Sequence, residues 1–108
     1  MIEAIQIVTT FSSKARAEEV ALDLVHKRLV ACGQVAGPIE SIYRWHGTIE
    51  TSQEYSLTLK TRRNLFDAIC VELRRWHTYE VPEILAVPVV AGSESYLRWM
   101  AENLTPVQ

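Results

Sequence analysis

His77, Glu80 and Glu83 put one imidazole and two carboxylates on a single short segment. That donor set suits a borderline divalent metal. The spacing is not that of a zinc finger or a two-histidine helix motif. The same residues also read as a histidine favoured by the dipole at a helix C-terminus, followed by solvated glutamates. His46 beside Trp45 offers a second ligand, a stacking partner or an exposed hairpin residue, whereas His26 falls on the polar side of a helix. Cys32 and Cys70 suit small buried hydrophobes, and a reactive thiolate requires a lowered pKa. Arg62 and Arg63, ahead of Asn64, can grip an anion at a helix N-terminus or stay solvated. Tyr43 and Trp45 share one face of a long hairpin, where aromatics bury against another subunit or cover their own core. No nucleophile elbow or glycine-rich phosphate loop is present in the sequence.

These residues need elements to position them. The 108 residues fit one domain spanning 1–108. Residues 2–10 are short, apolar and β-branched, which predicts a buried strand. Ser12-Ser13 offers an N-cap to an amphipathic helix over 14–30, with Ala17, Val20, Ala21, Leu24, Val25 and Leu29 at helical spacing. A second strand starts near Ala31-Cys32, is interrupted at Gly37-Pro38 and resumes over 39–45, with Gly47 near the turn. Residues 54–61 alternate as a half-buried antiparallel strand. Phe66, Ile69, Cys70, Leu73 and Trp76 mark a second helix, 84–90 a last strand broken by Pro88, and Ser93 a cap for a short terminal helix.

Two split βαβ halves of this length predict an α+β, ferredoxin-like βαββαβ sandwich with a short C-terminal helix, in the antiparallel order 4-1-3-2. That order makes strands two and four the edges. Pro38 and Pro88 fall in those two strands, where proline is tolerated. The topology also brings Thr9-Thr10, the hairpin with Trp45, His46 and Glu50, and the segment 77–83 to one end of the sheet.

A formal net charge of −2 leaves no basic field for a phosphate backbone, so no nucleic-acid partner is expected. No apolar run approaches the length that crosses a bilayer, so no membrane partner is expected either. Met1-Ile2-Glu3 lacks the basic head of a signal peptide, and two distant cysteines make no disulfide framework. The expectation is a reduced, cytoplasmic protein.

Several motifs then stand together in order. Leu29-Val30-Ala31-Cys32, the run from Ile39 to Glu50 (IESIYRWHGTIE), Lys60-Thr61-Arg62-Arg63, the run from His77 to Ile84 (HTYEVPEI), Pro88 and Tyr96-Leu97-Arg98-Trp99 resemble the CutA family of divalent-cation tolerance proteins. The resemblance covers nearly the whole chain. It implies a homotrimer, cytoplasmic in bacteria, associated with copper and other divalent metals and with no established catalytic activity. The family's copper ligands, a strand-one cysteine and paired histidines, fall here on Thr9, Trp76 and His77. Thr78 also replaces the proline usual after the second histidine. One retained ligand cannot hold copper tightly, and the soft thiolate that favours Cu(I) is missing.

The leading expectation is therefore a CutA-like homotrimer, not an enzyme, that works by binding. It requires no cofactor and takes Cu²⁺ or another divalent cation weakly, through His77 with Glu80 and Glu83. Its cleft is expected to involve Trp45, Tyr79 and Lys60, and its subunit interface Tyr43 and Trp45. The alternative is a trimeric sensor resembling the PII proteins, taking a small anionic metabolite through Lys60 or Arg62, or engaging a partner protein. An acylphosphatase-like enzyme is disfavoured, because the first strand-to-helix turn, Thr9-Thr10-Phe11-Ser12-Ser13, carries no glycine.

Overall fold

The computed structural model describes residues 2–106. Strand β1 (Ala4–Phe11) leads to helix α1 (Lys14–His26), and β2 (Cys32–Trp45) turns into β3 (Thr48–Arg62). A 3-10 turn (Arg63–Leu65) opens α2 (Phe66–Trp76), followed by β4 (Ile84–Pro88) and α3 (Glu94–Glu102). The sheet runs β2-β3-β1-β4, all antiparallel, which is the expected 4-1-3-2 order. Both prolines lie at the margins, Pro38 in a bulge of β2 between Ala36 and Ile39 and Pro88 at the end of β4.

The core forms because alternate residues of β1 and β3 point to one side. Ile7, Leu57 and Leu59 there meet Ala17, Val20 and Leu24 of α1 and Ile69 and Leu73 of α2, all fully buried. Helix α1 rides so close that a Cβ on Gly33 would meet the Ala21 Cβ at 2.8 Å. Ser13 caps α1 by accepting from the Arg16 amide at 3.2 Å. The opposite, helix-free face of the sheet carries Gln6, Val8 and Thr10 from β1, paired with Lys60, Thr58 and Ser56 of β3.

Strand β1 runs from Ala4 to Phe11 rather than over 2–10, and three further boundaries differ from the sequence reading. Helix α1 ends at His26, four residues before the expected 30, because Arg28 adopts a left-handed φ of 61°. Arg28 then donates from Nη2 to the Glu102 carbonyl at 2.6 Å, tying this end to α3. Strand β4 stops at Pro88, short of the expected 90. Strand β3 begins at Thr48 rather than 54. Residues 48–53 sit beyond the core, so neither face carries the apolar alternation that marks a buried strand.

The register makes this extension an arm. Phe11, the last residue of β1, pairs with Tyr55, while the hairpin continues seven β3 residues further, from Glu54 to Thr48. That is about 23 Å of unsupported ribbon at roughly 3.3 Å per residue. His46 and Gly47 close it with φ of 48° and 80°, the pair of positive values a tight two-residue hairpin turn needs.

Candidate functional site

The segment 77–83 passes over the end of β1, and this path splits the expected cleft in two. Thr9 and Phe11 point to the helix side of the sheet, and Thr10 to the open side. His77 lies on the helix side. It follows α2, its amide donating to the Leu73 carbonyl at 3.0 Å. Its ring stacks on Phe11 with centroids 4.2 Å apart and planes 4° from parallel. Its Nε2 is hydrogen-bonded to the Oγ1 of fully buried Thr9 at 2.7 Å. Burial pushes the imidazole pKa below its ordinary value, against the opposing charge of Glu54. A small cavity of about 220 Å³ beside it is lined by Ser12, Ser13, Arg16 and Trp76. Arg16 donates from Nη1 to the Trp76 carbonyl at 3.1 Å, with its guanidinium 5.7 Å from the centroid of the Trp76 ring.

The open side holds a groove of about 760 Å³ between the hairpin arm and residues 79–83. Glu54 stands at its inner end. Burial raises the carboxyl pKa, but the hydroxyls of Ser41, Tyr79 and Thr10 face the carboxylate and carry the balance below the usual range. Burial pushes the Tyr79 phenol up to about 12, and its hydrogen bond to Glu54 adds to the rise. Further along the arm Tyr43 Oη and Ser52 Oγ are 3.1 Å apart. Trp45 lines the outer end, edge-on to His46 at 4.8 Å.

These placements separate the residues of the expected metal set. Glu80 and Glu83 line the open groove and are exposed, while His77 lies on the other side of the sheet with its Nε2 engaged by Thr9. Among the described residues, no three His, Cys, Asp or Glu side chains are grouped to hold a metal ion. The donor set of one chain therefore does not fit copper: His77 has Nε2 engaged by Thr9 and a buried, unpartnered Nδ1, and among the described residues no group of three ligands surrounds it.

Trp45 and Tyr79 do share the groove, together with Tyr43. Lys60 does not. It pairs with Gln6 and Cys32, four residues down the strand from the Thr10–Ser56 pair, and its ammonium lies 5.6 Å from the Tyr96 ring centroid. Arg62 is buried and donates from Nε to Asn64 Oδ1 at 2.6 Å, so it is not presented to an anion. Arg63 is exposed, 3.9 Å from a Glu3 oxygen. Cys70 is buried with its thiol pKa raised, the wrong direction for a nucleophile.

Glu54 is the residue that sequence reasoning missed. It begins the polar side of the 54–61 alternation, a pattern that ordinarily marks solvent. Only the register, which sets Glu54 next to the Thr10–Ser56 pair, reveals its surroundings.

Residues 5–103 match the family described as CutA1 divalent ion tolerance protein. The divalent-cation tolerance protein CutA of Thermus thermophilus is 37% identical over 97 residues, covering 90% of this chain and 94% of that protein. The chloroplastic CutA of Arabidopsis thaliana is 31% identical over 102 residues, and this chain spans only 56% of its length. Among solved structures, CutA1 of Oryza sativa superposes with a TM-score of 0.94 at 31% identity, covering 98% of this chain and 97% of that one. CutA1 of Shewanella sp. SIB1 gives 0.93 at 34% identity, covering 97% and 98%. Motif order, sheet topology and these likenesses agree: the chain belongs to the CutA1 divalent ion tolerance protein family.

Proposed function

We propose that this chain acts as a homotrimer that binds a ligand in the open-face groove and catalyses no reaction. The observation that carries the assembly is surplus surface. The chain exposes 6960 Å², against about 6,100 Å² for a compact monomer of this length. The excess, about 850 Å², matches one partner's share of a standard protein interface. Its Cα radius of gyration, 14.6 Å, likewise exceeds the roughly 13 Å of a compact domain. The arm is the source, and its apolar side chains are uncovered: Ile42 is 67% and Ile49 59% exposed. The unpaired margin of the sheet adds Leu85 and Val87 of β4. Tyr43 and Trp45 on the same arm are the aromatic anchors we assign to the subunit contact.

A binding role is supported by what the site lacks in activated groups. The Tyr79 phenol stays protonated at neutral pH, the Cys70 thiol is raised, and His77 is held by Thr9. Because one chain's donors do not fit copper, we assign Cu²⁺ or another divalent cation only weak binding. The two free cysteines support a reducing, cytoplasmic setting.

Native mass spectrometry of the full chain, with and without Cu²⁺, tests both statements. A mass of three chains with no stoichiometric copper is expected, and Trp45→Ala should release monomer. A monomeric wild type would overturn the assembly. Tight copper abolished by His77→Ala in calorimetry would overturn the assignment of the metal.

A further inference from the structure

We propose that α3 is a latch over the end of the core away from residues 77–83, with Arg28 as its clasp. The latch opens as a unit while the sheet, α1 and α2 stay folded.

Helix α3 follows a sheet that is already complete and adds no strand to it. Leu97 and Met100 of α3, with Leu104 just after it, pack against the core, the last two at 3% and 2% exposure. Tyr96 and Trp99 stay partly exposed, with the Lys60 ammonium 5.6 Å from the Tyr96 ring centroid. The far end of the helix is held by a single exposed residue. Arg28 stands one position after the cap of α1, at a φ of 61°. Glycine is the ordinary residue there, because a side chain makes left-handed backbone costly. Arginine instead reaches across to the C-terminus of α3. Its Nη2 donates to the Glu102 carbonyl at 2.6 Å and to the Leu104 carbonyl at 3.4 Å. The Thr105 amide donates back to the Arg28 carbonyl at 2.8 Å. A helix end leaves such carbonyls without partners inside the helix, and its dipole favours a cation beside them. A glycine would relieve the turn and leave the carbonyls unclasped.

Opening breaks the Arg28 and Thr105 hydrogen bonds and exposes Leu97, Met100 and Leu104, yet it leaves every strand pairing in place. A unit tied by a few side chains and exposed hydrogen bonds opens at lower free energy than the core it covers. The clasp also couples two elements, since the strain in the turn after α1 is offset only while α3 is closed.

Amide hydrogen exchange of the full chain, read by mass spectrometry with α2 as the internal reference, tests this in wild type, Arg28→Ala and Arg28→Gly. In wild type the α3 amides should exchange at least about tenfold faster than those of α2. Both variants should speed α3 about tenfold further, as loss of a charge-assisted contact predicts, and leave α2 unchanged. Arg28→Gly is the sharper test, because it removes the strained side chain together with the guanidinium. Equal rates for α3 and α2 in wild type would overturn the latch. Wild-type protection of α3 in either variant would overturn the clasp, and equal acceleration of α2 and α3 would show that Arg28 serves the whole fold instead.

Discussion

Thr9 and Thr10 are neighbours in the chain and belong to different chemical environments. Thr9 faces the helices, where His77 and Phe11 close around it beside a small cavity. Thr10 faces away from them, into a broad groove rich in carboxylates, beside Glu54 and Tyr79. Residue 77 stays on the packed side, while Tyr79, its ring 5.7 Å from that of His77, lines both the small cavity and the groove as the segment crosses the strand end. The contrast shows that one end of a sheet is two sites. The packed side stabilises the fold, and the open side is where we propose that a ligand binds.

That division is best broken on the packed side first. Phe11→Ala removes a buried ring and the partner of His77, and should cost about 3–5 kcal/mol in urea unfolding. His77→Ala should cost about 2–4 kcal/mol, because it leaves the fully buried Thr9 hydroxyl without its partner and loses the stack. If His77→Ala unfolds like wild type, the imidazole is not structural, and a role at the groove regains force.

Acid should separate the two sides by pH window. The folded pKa of His77 is depressed below 6.5, so the unfolded chain binds the extra proton first. Its contribution is complete above 6.5 and declines as pH falls below that value toward the folded pKa. Glu54 is likewise depressed, from 4.5, so its contribution persists to lower pH and is lost only as pH falls below 4.5. Urea midpoints measured from pH 7.5 to 3.5 should show an upper decline that vanishes in His77→Ala and a lower one reduced in Glu54→Gln. A single decline common to both variants would join the two sides into one titrating unit.

The smallest expected effect is on the open side. Glu54→Gln keeps the shape of the side chain and should change stability by less than about 1 kcal/mol. Its consequence belongs to ligand binding. A loss as large as that of His77→Ala would make Glu54 a structural residue.

Much of this architecture was legible in the residues. The β-branched run of β1, the helical spacing of α1 and α2, and the caps at Ser13 and Ser93 all reported local preferences that packing did not override. Prolines 38 and 88 identified the edges because a missing amide is tolerated only there. The outer part of β3 was invisible, since residues 48–53 touch no core and carry no alternation. The site was half legible. Tyr79, Trp45, Glu80 and Glu83, all named from the sequence, line one groove, but His77 was joined to them and Glu54 left out.

Periodicity, capping and proline position in the chain were enough to specify the elements, their order in the sheet and the end at which the polar loops gather. Which side of that sheet each loop residue occupies was decided by folding alone. Side chains on a strand alternate at every residue, and a crossing loop can deliver adjacent residues to opposite faces. Only the register of Thr10 with Ser56 and of Ile39 with Glu54, together with the path of residues 77–79, separates the packed imidazole from the acidic groove.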